Sequence, residues 1–364
     1  MGQSNGFSSA IAEISVKNFK GIKECKINDL SKINLFIGKN GCGKSSIMEA
    51  AYYTGKEFSL GNSLPECIER RANRGKWSAR EFWYGYQVGS DIEIRLEHKN
   101  NNFAEMIIQF REENNDLLAL FTWGTSRNSW NGPIQLSRYT TNLRAVALAP
   151  RDTLGAPFAT AEVMEYFRNS RYIDPTIKTH IPEIEGKYLN RIELLEENKN
   201  EMAERTANIY GTQPSWGFLP HIDFPFNEPS RFTILEGGKR IFIDNFGDGL
   251  HYGLAVLAAL KTRRNTAVFI EEIESHQHPE AIKNLVANIA SIAQANNIQL
   301  FMTTHNRFVW NCLEKEFPTE DEREKALRVY CVLKDKNSGA VECVAQTKEN
   351  ADEFWSSIDK ELYG

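Results

Sequence analysis

Four short segments of this 364-residue chain carry residue types that could do chemistry on a phosphate. The first is Gly38-Lys39-Asn40-Gly41-Cys42-Gly43-Lys44-Ser45, a glycine-rich run of the form G-x-x-x-x-G-K-[ST]. Glycines at this spacing let successive backbone N–H groups turn inward around an anion, at the positive end of the helix that follows. Lys44 would reach the outer phosphates of a nucleotide, and the Ser45 hydroxyl would ligate Mg2+. The second segment, Thr266-Ala267-Val268-Phe269-Ile270-Glu271-Glu272, is an apolar stretch ending in two adjacent carboxylates. Consecutive strand residues point to opposite faces, but a chain that turns at the strand end can bring both acids to one pocket. One acid would then hold a metal through its waters, and the other would position an attacking water. The third segment, Gln299-Leu300-Phe301-Met302-Thr303-Thr304-His305, runs into a polar tip where His305 could sense a terminal phosphate. The fourth, Asn245-Phe246-Gly247-Asp248-Gly249-Leu250, brackets an acid with two glycines before an expected helix and offers further free N–H groups.

Other residues suggest less. His276-Gln277-His278 has the spacing of a metal pair but no third ligand close in sequence. Cys42 reads as a small loop residue rather than a redox thiol, and the six cysteines show no C-x-x-C spacing, so neither a zinc site nor a disulfide framework is indicated. The basic run Arg70, Arg71, Arg74, Lys76 and Arg80, interleaved with Trp77 and Trp83, is either a solvated helix face or a nucleic-acid patch.

The elements that must position these residues are legible as patterns. Alternating apolar residues from Ile11 to Ile27 predict a short antiparallel pair, and Ile33–Ile37 reads as a buried strand that stops at Gly38. A helix is expected over Ser45–Tyr53, which gives the order strand, glycine turn, helix. Asp91–Glu97, Ala104–Phe110 and Leu117–Trp123 alternate between polar Asn-rich turns, as in a meander, and Ala145–Ala149 is a further strand. Helical character follows from Pro157 to Tyr210, with Glu183–Arg205 as the expected long helix. A proline-rich linker (Pro214, Pro220, Pro225, Pro229) leads to strands at Arg231–Leu235 and Arg240–Ile243. Helix Gly249–Lys261, strand Thr266–Ile270, helix Pro279–Ala295 and strand Ile298–Thr303 then alternate, the grammar of a parallel sheet covered by helices. A hairpin over Arg328–Leu333 and Ala340–Val344 and a short helix near Ala351–Leu362 close the chain.

Composition limits the class. The formal charge is −5, with 41% hydrophobic and 25% charged residues, an ordinary globular balance that exerts no global pull on nucleic acid. Apolar runs such as Leu254–Leu260 fall far short of the ~20 residues of a membrane span. The first residues lack the basic start and apolar centre of a signal peptide, so a soluble, cytoplasmic protein is expected.

Taken in order, the four segments resemble the ATP-binding-cassette heads of the SMC/RecF/OLD group (OLD: overcoming lysogenisation defect). They are similar in particular to the stand-alone OLD-type ATPases of paired phage-defence systems (PARIS, Septu). Ile14-Ser15-Val16-Lys17-Asn18-Phe19-Lys20-Gly21-Ile22, followed by Ile33 to Gly41, is similar to the start of such ATPases. Glu271-Glu272-Ile273-Glu274-Ser275-His276-Gln277-His278-Pro279 resembles their Glu-Glu-Pro-Glu-x-His-Leu-His-Pro stretch, and Thr303-Thr304-His305-Asn306 their Thr-Thr-His switch.

The resemblance implies an α/β P-loop NTPase of the ABC-ATPase type, with a mixed sheet, an antiparallel β subdomain and a helical insertion. Residues 1–154 and 231–364 would form two ATPase lobes around an insertion at 155–230. ATP would be bound by Gly38, Asn40, Gly41, Cys42, Gly43, Lys44, Ser45 and Ser46, with Mg2+ held by Ser45 and Glu271. Glu272 would be the general base, assisted by Lys44 and the switch His305. Gly247, Asp248 and Gly249 would form the signature segment that completes the site of a second subunit, so at least a homodimer is implied. Three departures from the pattern stand out: Glu271 where many heads have Asp, Ile273 in place of Pro, and no serine in the signature. The glutamine-loop residue could be Gln87, Gln109 or Gln135. Fewer than about sixty residues follow His305, too few for the Toprim nuclease domain of OLD nucleases, which suggests an ATPase controlling a separate nuclease or toxin effector. The alternative is a RecF-like clamp in DNA repair. A third reading, a non-hydrolysing scaffold, is opposed by the intact Lys44, Glu272 and His305.

Overall fold

The computed structural model describes residues 10–60, 82–99, 101–111, 116–125, 135–139, 145–147, 161–175, 196–211, 233–236, 239–242, 246–347, 350 and 355. In chain order the first elements are β1 (Ile11–Phe19), β2 (Ile22–Ile27), β3 (Ile33–Ile37), α1 (Lys44–Leu60), β4 (Ile92–His98) and β5 (Asn102–Arg111). Next come β6 (Asp116–Thr125), β7 (Gln135–Tyr139), β8 (Ala145–Ala147), α2 (Ala161–Asn169), β9 (Arg171–Ile173) and α3 (Glu196–Tyr210). They are followed by β10 (Thr233–Glu236), β11 (Lys239–Phe242), α4 (Asp248–Lys261), β12 (Thr266–Ile270) and α5 (Pro279–Ala295). The last are β13 (Ile298–Thr304), α6 (Arg307–Lys315), α7 (Glu320–Ala326), β14 (Leu327–Lys334) and β15 (Val341–Ala345). None of the described helices is long and apolar enough to cross a membrane.

The chain divides into two compact units, Met1–Ser170 with Leu327–Gly364, and Arg171–Ala326. This division cuts across three consecutive segments at 1–154, 155–230 and 231–364, because the chain returns to the first unit at Leu327.

In the first unit, an antiparallel sheet runs β2-β1-β4-β5-β6-β7-β8. Its alternation is that expected of a half-buried sheet: Ile92, Ile94 and Leu96 are buried while Glu93 is exposed. Strand β3 is buried at every residue and pairs in parallel with β14, which pairs antiparallel with β15. Helix α1 runs on to Leu60, past the expected end at Tyr53. Gly55, within that extension, is where Phe167 of α2 packs: a Cβ there would lie 2.0 Å from the Phe167 ring. That contact, with the Lys56 ammonium donating to the Arg168 carbonyl at 2.7 Å, outweighs the poor helix propensity of glycine.

The second unit has the parallel strands β9, β12 and β13. Strands β12 and β13 are wholly buried, as strands covered on both faces must be. Register sets Tyr172, Phe269 and Phe301 side by side, and their rings stack at centroid distances of 6.0 and 4.7 Å. Helix α4 is buried along its length from Leu250 to Leu260, and α5 begins at Pro279, where the missing N–H has no helical partner to lose.

Strands β7 and β9 and helices α6 and α7 were not expected. Arg171–Ile173 is too short for any periodicity to appear, and its pairing with β12 is a long-range contact. The helix expected over Glu183–Arg205 is found at Glu196–Tyr210, with 176–195 outside the described residues. The expected C-terminal helix, Asn245, and the basic run with Trp77 also lie outside them, apart from a buried Trp355. Trp83 is a correction to the nucleic-acid reading of that run. It is 1% exposed, and its indole N–H donates to the Ser90 carbonyl at 2.6 Å, so it is a core residue with no face to offer a base.

Candidate nucleotide-hydrolysis site

The phosphate loop belongs to the first unit. It leaves the buried end of β3 and enters α1 at Lys44. Gly38 sits at φ +152°, where a Cβ would come within 2.6 Å of the Val332 carbonyl oxygen on β14 and 3.0 Å of Cys42 Sγ. Gly43, at φ +111°, has Ile22 of β2 and Val341 of β15 each 3.4 Å from its Cβ position. These glycines are required by backbone angle and by neighbours together. Asn40 and Gly41 are exposed at the rim, while Ser45 and Ser46 are half-buried on the first turn of α1. Lys44 is only 6% exposed. Its ammonium folds back and donates to the carbonyls of Gly38 at 2.8 Å and Lys39 at 2.9 Å. Burial pushes the Cys42 thiol above its usual range, which keeps it protonated and agrees with a filler role.

An ion pair that sequence reasoning missed braces this helix. Lys20, at φ +49° between β1 and β2, reaches the fully buried Glu49 at 2.6 Å. Its ammonium also lies 5.3 Å from the centre of the Phe19 ring.

Glu271, Glu272 and His305 belong to the second unit. Glu271 is buried, and its Oε1 accepts from the Tyr172 hydroxyl of β9 while its main-chain carbonyl accepts from Tyr252 of α4. Glu272 takes the left-handed conformation at φ +45°, costing about 1–3 kcal/mol for a residue other than glycine. Three bonds hold it there: Glu272 N–H donates to Thr303 Oγ1 at 2.9 Å, Ile273 N–H to the Thr303 carbonyl at 3.3 Å, and Ser275 N–H to the Glu272 carbonyl at 2.7 Å. The departure from proline at 273 thus has a physical use, since proline has no N–H to donate. The turn separates the two acids: Glu271 points into the core, and the Glu272 side chain is 46% exposed beside His305. Glu272 Oε2 accepts from the Ser275 hydroxyl at 3.1 Å, and Oε1 faces His305 Nε2 at 3.8 Å.

A third acid, Glu274, ties the two loops together. Its Oε1 accepts the main-chain N–H of His305 at 2.7 Å, and its buried Oε2 has no hydrogen-bond partner among the described residues. Burial holds this carboxyl above the usual carboxylate range in spite of the bond from His305.

Gly247 caps α4 without a side-chain bond to the helix. Gly249 packs on the loop that follows the acids, with a hypothetical Cβ 2.4 Å from the His276 carbonyl, and Asp248 lies 3.9 Å from His276 Nδ1. The loop from Glu271 to His278 therefore touches both the switch and the glycine-flanked acid. No group of three or more His, Cys, Asp or Glu positioned to hold a metal occurs among the described residues, and His278 instead caps α5. Of the glutamines, Gln109 bonds Asp91 at 2.9 Å, Gln87 follows a turn at Tyr84–Tyr86, and Gln135 opens β7.

The residues missed are mostly tyrosines. Tyr172 is 99 positions from Glu271, and Tyr210, described below, is 39 from Gly249. No motif links them to their partners. Glu274 did carry a signal, as the next acid of the same short run.

A glycine loop between a buried strand and a helix, with an acid-ended strand and a histidine-ended strand side by side, defines an ABC-type P-loop ATPase. Comparison with known proteins agrees. Over residues 33–309 the chain matches, and belongs to, the family described as "AAA domain, putative AbiEii toxin, Type IV TA system". It is 21% identical over 354 residues to an "ATP/GTP phosphatase" of Helicobacter pylori, covering 89% of this chain and 93% of that protein. A stretch of 54 residues is 41% identical to the DNA replication and repair protein RecF of Vibrio atlanticus, 15% of each chain. The fold is similar to that of an SMC head solved bound to the C-terminal winged-helix domain of ScpA, with a TM-score of 0.51 and 16% identity, covering 94% of this chain and 99% of that one.

Proposed function

We propose that two copies of this chain close on ATP, hydrolyse it, and use the cycle to control a separate effector of nuclease or toxin chemistry in defence against phage. The observation that carries the hydrolytic part is the latch in the second unit: Glu272 Oε1 3.8 Å from His305 Nε2, on two loops bonded through Thr303 and Glu274. With Oε2 held by Ser275, Oε1 is the atom left to accept a proton from the attacking water. Lys44 exchanges its two loop carbonyls for the outer phosphates, and the loop amides cradle the rest. The uncapped first turn of α4, with Gly247 to Gly249, faces the nucleotide of the other copy.

Mg2+ would be held by the Ser45 hydroxyl on the first turn of α1, a hard oxygen donor, and would take its remaining ligands from water and phosphate instead of a protein cage. When bound it neutralises charge developing on the phosphates. Tyr172 and Tyr252 fix Glu271 at both its side chain and its main chain.

The effector is supported by the family's description as part of a toxin–antitoxin system, and a protein partner by the ScpA contact of the similar SMC head. A second reading, a RecF-like DNA clamp, is favoured by the RecF match. Turnover measured with and without duplex DNA across a salt series separates the two. DNA-stimulated turnover with binding that weakens steeply with salt would replace the effector reading by the clamp. Turnover indifferent to DNA supports the effector reading. An effector captured in stoichiometric amount by the Glu272→Gln chain with ATP would identify it.

A further inference from the structure

Helix α3 comes from the segment that the sequence leaves without a role, yet it ends on the glycine-flanked acid. The Tyr210 hydroxyl lies 3.0 Å from the Gly249 carbonyl and 3.0 Å from Gln277 Oε1. Gln277 Nε2 donates to the same Gly249 carbonyl at 2.6 Å. The single phenol proton is shared between the Gly249 carbonyl and Gln277 Oε1, and with the amide bond from Gln277 to the same carbonyl the three groups close a ring. The amide orientation follows from this, since the reverse would set two acceptor oxygens against each other at Gly249.

Two features show that the ring is built in. Gly253, one turn along α4, lies where any side chain would collide: a Cβ there would be 1.7 Å from the Tyr210 hydroxyl oxygen. Gln277 stands where the resembling stretch Glu-Glu-Pro-Glu-x-His-Leu-His-Pro has leucine, which could neither donate to Gly249 nor accept from Tyr210. Helix α3 is itself anchored on both neighbours. Arg205 donates to Asn288 of α5 at 2.7 Å, Asn284 of α5 donates to the Asn208 carbonyl at 3.1 Å, and Glu201 pairs with Lys261 of α4.

We infer that Tyr210 and Gln277 are positioning residues that hold the Gly247–Gly249 turn and the loop after the acids in one arrangement, the one that meets the nucleotide of a second copy. This rests on the two-copy reading above.

The test uses the full chain in the Glu272→Gln background with ATP and Mg2+, where closure without turnover can be weighed by sedimentation. Tyr210→Phe keeps the ring against Gly253 and removes only the hydroxyl. It is expected to weaken ATP-dependent self-association about tenfold while ATP affinity of the single chain changes less than about twofold. Gln277→Leu, which restores the leucine of the resembling stretch, is expected to match it. A melting curve like that of the parent, with the same split between association and affinity, separates positioning from a general loss of fold. If the parent does not associate with ATP, the two-copy reading falls and this inference with it. If the parent associates and Tyr210→Phe and Gln277→Leu associate equally well, or if both lose ATP affinity to the same degree as association, the inference alone is overturned.

Discussion

The phosphate loop of the first unit and the acid loop of the second solve the same problem, holding charged groups in one place, by different means. The phosphate loop is held by positive-φ glycines and by a lysine bonded to carbonyls five and six positions away, with one distant neighbour, the Val332 carbonyl, packed against Gly38. The acid loop is held from outside, by Thr303 and His305 about thirty positions on, Tyr252 nineteen back and Tyr172 ninety-nine back. A backbone device is local and leaves a motif. A side-chain device borrows partners from anywhere in the unit and leaves none.

If that contrast is right, substitutions in the two loops differ in kind. Lys44→Ala is the largest break: turnover is expected to fall to background and ATP affinity, read by a fluorescent nucleotide, by more than about a hundredfold, because the variant has no cation to offer the outer phosphates. Glu272→Gln is expected to lower turnover by about a hundredfold or more while ATP affinity stays within a few fold, the split of a lost base rather than a lost binding group. Full turnover in that variant would remove Glu272 from the base role. Gly38→Ala drives a methyl onto the Val332 carbonyl and is expected to cost about 2–3 kcal/mol of stability, measured by urea unfolding. Thr303→Val removes the acceptor for the Glu272 amide but not the volume. It is expected to cost about 1–2 kcal/mol and to lower kcat with little change in KM.

The smallest effect concerns pH. Because burial raises the Glu274 carboxyl, the folded chain holds that proton more tightly than the unfolded one. The contribution is complete below the ordinary carboxylate value and is lost as pH rises through the raised one. Glu274→Gln keeps an acceptor for the His305 amide without the buried charge. At pH 7.5 it is expected to melt no lower than the parent, by calorimetry, and any advantage is expected to vanish near about pH 4.

The same contrast explains what could be read from sequence. Strand Thr266–Ile270 and helix Pro279–Ala295 are found within the residues anticipated, because an apolar run and an amphipathic stripe after a proline are local signals. The loop from Gly38 to Ser45 was visible for the same reason. Strand β9 was not, since three residues carry no period and its pairing depends on a partner far along the chain. The extension of α1 past Tyr53 was not visible either: glycine alone weakens a helix, and the ring of Phe167 explains the place of Gly55 in it. The split between a buried Glu271 and an outward Glu272 needed the left-handed turn, which two adjacent glutamates do not announce.

The two carbonyl bonds of Lys44 have a thermodynamic consequence. In the proposed capture of nucleotide, phosphate oxygens take the ammonium from two neutral carbonyls, so the number of bonds changes little and the gain lies in the charge of the new acceptors. The calorimetric signature of nucleotide capture is then expected to carry from Lys44 only the difference between the two sets of bonds, alongside released water and the loop amides.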